Sequence, residues 1–145
     1  MRKLLLAISV LALGASAVHA DPIKDRQALM KERGKLVGTL AKVVKGQEPF
    51  DAAVVLTTLQ ALQANAEKTD VVALFPAGTD TGDTEASPKI WQDMEGFKAA
   101  EDKYLAAVKA AAAASPADVD ALKAHVGTIG ADCGACHQAF RLKKS

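Results

Sequence analysis

The 145-residue sequence is short of almost everything that marks a catalytic, nucleic-acid-binding or disulfide-framed protein. It has two cysteines, so no disulfide framework is available. Aromatic residues are 4% of the chain, and five prolines are spread singly along it. Lysine and arginine number 18 against 17 acidic residues, a net charge of +1. That balance supplies no basic surplus for a phosphate backbone, which argues against nucleic acid as a partner. β-Branched runs are short and alanine is abundant, which favours helices over sheet. No cluster of catalytic acid, base and nucleophile stands out, so the chain does not read as an enzyme.

The one long apolar run lies at the start. Arg2 and Lys3 precede Leu4 to Leu13, and Val18-His19-Ala20 ends the stretch with small residues. The run is shorter than the roughly 20 residues that span a bilayer, and no stop-transfer pattern follows. Residues 1–20 therefore read as a secretory signal peptide, and residues 21–145 as a single domain with no stable membrane anchor. Removing 1–20 takes away Arg2 and Lys3 and no acidic side chain, so the net charge passes from +1 to −1.

Four segments carry a helical period. The first runs from about Pro22 to Lys45, with Ile23, Arg26, Met30, Arg33, Val37, Leu40 and Val44 on one stripe. Asp21 is its expected cap, and Gly34 and Gly38 invite close approach of a neighbour. The second runs from about Pro49 to Thr69. The third is expected to start at Ser87-Pro88, with Ile90, Met94, Phe97, Glu101, Tyr104, Val108 and Ala111 in line. The fourth is expected to start at Ser115-Pro116 and to carry Val119, Leu122, Val126, Ile129, Cys133, Cys136 and Phe140. Residues 69–87 form an irregular connection. These elements predict an all-α, antiparallel up-down-up-down four-helix bundle.

The chemistry is concentrated in Cys133-Gly134-Ala135-Cys136-His137, a C-x-x-C-H sequence. On a helix the two cysteines share a face, and His137 lies four residues beyond Cys133 on that side. Two thiols so placed can add to the two vinyl groups along one edge of a porphyrin, and the imidazole can reach its iron. A redox C-x-x-C would need a βαβ context, and zinc would need a fourth ligand; neither is present. The expected cofactor is one covalent haem c near the C-terminal end of helix four. At about 1.5 Å per residue, Met30 and Met94 both lie level with His137, so depth alone leaves both open as a second iron ligand. His125, about 25 Å further up helix four by the same rise, is excluded.

These residues resemble the class II c-type cytochromes, the cytochrome c′ family with its low-spin cytochrome c-556 relatives. Arg26-Gln27-Ala28-Leu29-Met30 is similar to the family's helix-one motif. Lys45-Gly46-Gln47-Glu48-Pro49-Phe50-Asp51-Ala52-Ala53 is similar to its first turn, and Leu74-Phe75-Pro76-Ala77-Gly78-Thr79 with Ile90-Trp91 to its loop and third helix. Cys133 to His137 with Phe140-Arg141 matches its end. The resemblance implies that Met30 is the sixth ligand opposite His137, as in low-spin members. It implies contacts to the cofactor from Arg26, through a propionate, and from Arg141, over the imidazole. Trp91 and Phe140 are expected beside the porphyrin. The implied function is a periplasmic one-electron carrier serving redox partner proteins, and a homodimer through helices one and two is an available assembly. The alternative is a five-coordinate, high-spin cytochrome c′ whose apolar distal face binds nitric oxide or carbon monoxide.

Overall fold

Aspartate opens five of the six helices. Asp21, Asp51, Asp70, Asp93 and Asp118 each accept backbone N–H groups of the first turn, satisfying donors that a helix start leaves without partners. The computed structural model describes residues 21–143; the expected signal peptide lies outside the described residues. The helices are α1 (Pro22–Val44), α2 (Ala52–Glu67), α3 (Val71–Leu74), α4 (Lys89–Gln92), α5 (Met94–Ala114) and α6 (Val119–Phe140). Replacing Asp51 by alanine, which removes the acceptor for Ala53 and Val54 N–H, is expected to cost about 1 kcal/mol in a denaturation titration.

The Ser-Pro pairs do not start the long helices, contrary to the sequence expectation. Ser87 accepts the Lys89 N–H, but the helix it opens stops at Gln92. Asp93, at φ −140°, breaks the path and caps α5 afresh through the Gly96 N–H. A Cβ at Gly96 would run into the Asp93 carboxylate, so the cap needs glycine there. Ser115 belongs to the end of α5, in the left-handed region at φ 45°, and α6 begins only after Asp118. The second helix likewise starts at Ala52, leaving Pro49 and Phe50 outside it. In each case the long helix starts at an aspartate whose carboxylate accepts a backbone N–H three residues on.

α1 packs against α2 and α6, and α5 packs against α2 and α6, so the four long helices close a ring. Asn65, near the end of α2, bonds to Leu29 O and Arg33 Nε in the first half of α1. Arg33 also reaches Glu101, in the first half of α5. Lys103, on the same half of α5, meets Asp132 in the second half of α6. Neighbours in the chain are therefore antiparallel, giving the up-down-up-down bundle. The short connections 45–51 and 115–118 lie at one end. The longer connection 68–93, carrying α3 and α4, lies at the other end with the start of α1 and the end of α6.

The interior has two parts. Leu40, Val55, Leu59, Leu62, Val108, Leu122 and Ile129 fill the bundle's length. Val71, Phe75, Ile90, Phe97 and Phe140 close the end that holds the long connection. Among them Phe97 stands edge-on between Phe75 and Phe140, with ring centroids at 4.7 and 5.2 Å. Gly34 and Gly38 face open space, with nothing within 4 Å of a Cβ built on either. No neighbour within the chain requires glycine there. Among the described residues no helix is long and apolar enough to cross a membrane.

Candidate functional site

The end of the bundle where α1 begins and α6 finishes encloses a cavity of about 550 Å³, within the roughly 300–1,000 Å³ range of cofactor sites. α1 contributes Arg26, Gln27, Met30 and Lys31 to its wall, and the long connection contributes Phe75 and the strip from Gly82 to Ala86. Ile90, Phe97 and Glu101 line it from α4 and α5. Cys136, His137, Phe140 and Arg141 complete it from α6. Behind it is a second void of about 30 Å³, lined by Met30, Arg33, Glu101, Tyr104, Asp132, Cys133, Cys136 and His137.

The helical register of α6 accounts for the disposition of the C-x-x-C-H residues. Cys133 and Cys136 are both half-buried free thiols, and both abut the enclosed space. Burial pushes both thiols up, that of Cys136 to about 11, so each is protonated at neutral pH. Burial pushes the His137 imidazole down, helped by the Arg141 and Arg33 charges. A neutral ring with a lone pair available is the form that binds a metal. Among the described residues no group of three or more His, Cys, Asp and Glu side chains is placed to enclose a bare ion. The two thiols and the imidazole do suit a planar cofactor fixed along one edge through two sulfurs and coordinated by nitrogen.

The two methionines that depth leaves equivalent are separated by their surroundings. Met30 lines both spaces together with His137. Met94 instead packs against the Phe75–Phe97–Phe140 cluster and does not line either space. His125 lines neither.

The remaining expected residues divide. Phe140 and Arg141 line the cavity. Arg141 Nε meets Glu85 Oε2 at 3.3 Å across the cavity mouth. Backbone bonds reinforce this closure: Ser87 N–H donates to Phe140 O at 3.0 Å and Leu142 N–H to Glu85 O at 2.8 Å. Arg26 is on the wall and buried, but its terminal nitrogens are committed. They donate to Leu74 O, Thr79 O, Thr79 Oγ1 and Thr84 Oγ1, and the guanidinium lies 4.8 Å from the Phe75 ring centroid. Arg26 thus secures the long connection over the cavity. Trp91 does not reach the cavity wall: its Nε1–H donates to Phe75 O and Pro76 O, and its ring stands at an angle behind Phe75.

Sequence reasoning missed a buried polar group beside Met30. Arg33 donates through Nη1 to both Glu101 oxygens at 3.1–3.2 Å, through Nε to Asn65 Oδ1 and through Nη2 to Thr69 Oγ1. Its guanidinium also stacks 4.2 Å from the Tyr104 ring centroid. Arg33 and Glu101 are 6% and 7% exposed. The signal was their place on the inward stripes of the first and third helices, where a charge is costly unless paired. Arg33 and Glu101 thus bring a buried ion pair to the small void that Met30 also lines.

Tyr104 is the only tyrosine, which makes its environment measurable. Burial pushes its phenol from 10.0 up to about 12, against an opposing pull from Arg33. An absorbance titration is expected to show tyrosinate at half-height near pH 12 in the folded protein; a midpoint near 10 would contradict this burial. The folded state holds the proton more tightly than the unfolded one. This contribution to stability is complete below pH 10 and is lost as pH rises toward 12.

A sequence profile of the Cytochrome C′ family matches residues 21–141. The chain is 39% identical over 133 residues to a cytochrome c-556 of Agrobacterium fabrum, covering 91% of this chain and 89% of that protein. It is 40% identical over 139 residues to a cytochrome c′ of Rhodopseudomonas palustris, covering 94% and 92%. Among solved structures, a cytochrome c′ from Rhodobacter spheriodes superposes with a TM-score of 0.80 at 32% identity, over 85% of this chain and 96% of that one. A nitric oxide complex of a mutant cytochrome c prime from Alcaligenes xylosoxidans superposes at 0.76 with 36% identity, over 86% and 95%. With Cys136 and His137 on the wall of the large cavity and Cys133 on that of the void beside it, the chain belongs to the cytochrome c′ family of class II c-type cytochromes and carries covalently attached haem c.

Proposed function

We propose that the protein is a periplasmic one-electron carrier whose iron is held between His137 and Met30. The observation that carries this reading is that Met30 of α1 and His137 of α6 line one cavity. Haem c supplies a one-electron Fe(II)/Fe(III) couple. The chain contributes the rest. Cys133 and Cys136 form the two thioethers that fix the cofactor to α6. His137 offers a neutral imidazole, and Met30 offers a soft thioether from the facing helix. His137 and Met30 would hold the iron between them, and histidine with methionine raises its reduction potential. Phe75, Phe97 and Phe140 exclude water on one side, while Arg26, Lys31 and Arg141 give cations at the cavity for the carboxylates of the cofactor.

Residues 1–20 act in this reading as an export signal and residues 21–145 as the haem-binding domain. Redox proteins are the partners. A homodimer through α1 and α2 would use the open face at Gly34 and Gly38 and the exposed Val54. The purified holoprotein tests the central claim. A low-spin spectrum with a sulfur-to-iron band in the near infrared supports it. A high-spin spectrum with prompt carbon monoxide binding to the reduced form refutes it.

The second reading is five-coordinate iron that binds nitric oxide or carbon monoxide. It is favoured by the similarity to solved cytochrome c prime structures described as a nitric oxide complex and as carbon monoxide bound. The same spectrum separates the two readings.

A further inference from the structure

The hydrogen bonds that tie α1 to other elements cluster between Arg26 and Arg33, a stretch with Met30 at its middle. Further along, α1 is seated by apolar side chains such as Leu40 and Val43. Apolar contact is non-directional and leaves a helix room to slide or turn. Hydrogen bonds have set distances and angles, and they fix register.

One side chain makes three of these bonds. Asn65, near the end of α2, is 1% exposed. Its Nδ2 donates to Leu29 O at 3.1 Å and to Glu32 Oε2 at 2.8 Å. Its Oδ1 accepts from Arg33 Nε at 3.1 Å. These partners precede Met30 by one residue and follow it by two and three. Both amide hydrogens and the amide oxygen therefore grip a single turn of α1. Leu29 O belongs to the backbone, so the grip does not depend on a side-chain rotamer alone. An apolar residue could fill the same space on α2 without the cost of burying an amide. What the amide adds is a fixed position for the turn opposite it.

The need for such a hold follows from where the two ligands stand. His137 is on α6 and Met30 on α1. Methionine is unbranched and flexible, so its own side chain does not fix the separation between sulfur and imidazole. We propose that Asn65 is a positioning residue for the iron: by gripping residues 29–33 it keeps the Met30 sulfur on the metal and slows its release. The inference rests on the reading of Met30 as sixth ligand. Asn65 lines neither the cavity nor the void and acts only through α1.

The test is Asn65→Leu in the holoprotein. At saturating carbon monoxide, the reduced protein binds the gas no faster than Met30 leaves the iron, so the limiting rate reads the release step. That rate is expected to rise about tenfold, the factor that a lost buried hydrogen bond is worth. The near-infrared sulfur-to-iron band is expected to persist but weaken. Asn65→Asp keeps the volume and the acceptor for Arg33 and deletes both N–H donors. It should raise the limiting rate as well, and it decides the matter alone if the leucine variant does not fold. In a Met30→Ala background, Asn65→Leu should leave carbon monoxide binding unchanged, because the side chain that Asn65 positions is gone. An unchanged limiting rate in the folded Asn65 variants would overturn the proposal. So would an equal acceleration in the Met30→Ala background, which would mark a general loosening of the bundle. A sulfur-to-iron band that survives Met30→Ala, or is missing from the parent, overturns the ligation reading and this proposal with it. A band that depends on Met30, with neither Asn65 variant changing the rate, overturns this proposal alone.

Discussion

Met30→Ala converts the proposed electron carrier into a protein with an open iron coordination site, the largest functional change expected from one substitution. The near-infrared sulfur-to-iron band is expected to vanish completely and the ferric spectrum to become high-spin. The reduction potential should fall, because the methionine ligand that favours the reduced state is gone. Carbon monoxide should bind the reduced variant promptly where it binds the parent slowly. Met30→Leu keeps apolar bulk but lacks sulfur, and should give the same spectrum, which separates ligation from packing. Met94→Ala is the matched control. Met94 sits in the aromatic cluster and lines neither space, so its variant should keep the parent spectrum. An unchanged spectrum in Met30→Ala would remove Met30 from the iron.

Glu101→Ala is expected to lower folding stability by about 3–5 kcal/mol, because it leaves the Arg33 guanidinium buried and unmatched. Arg33 cannot easily swing to solvent. It is held at once by Glu101, Asn65 and Thr69 and is stacked on Tyr104. Desolvating two charges consumes most of their mutual attraction, so the pair as a whole contributes little. The double variant Arg33→Met with Glu101→Leu should therefore recover most of the loss. Urea denaturation of the holoproteins gives both numbers and, through the cycle, their coupling. A loss below about 1 kcal/mol in Glu101→Ala would mean that Arg33 is hydrated despite its burial. The same variant bears on the iron. An uncompensated cation beside Met30 should raise the reduction potential, since the added charge favours the electron-rich state.

The bundle was legible in the sequence because its evidence is periodic. Stripes such as Leu122, Val126, Ile129 and Cys133 repeat over many turns, and an error at one position leaves the period intact. Helix starts were less legible. Ser87-Pro88 and Ser115-Pro116 carry real starting preferences, yet Asp93 and Asp118 a few residues on form the caps of the long helices. Competition between nearby caps is settled by how the chain must turn to pack, which is not a local property. At the site, Cys133, Cys136 and His137 were readable because one helix turn fixes their relation. Periodicity left Met30 and Met94 level and only the resemblance singled out Met30; which methionine shares a cavity with His137 depends on which faces α1 and α5 turn toward α6. Arg26 and Trp91 were expected against the cofactor. The structure shows Arg26 on the cavity wall and satisfying four acceptors of the connection, and Trp91 bonded to carbonyls of the same connection. Those acceptors lie in an irregular segment whose path no periodicity reveals.

The backbone bonds that join Glu85 and Ser87 to Phe140 and Leu142 have a consequence for the order of assembly. The two strips are distant in the chain, so bringing them together carries a large loop-closure cost and is expected late in folding. Until then the last turns of α6 are free to splay from the long connection. The cavity wall that holds Cys136 and His137 is therefore complete only once both ends of this stretch have met.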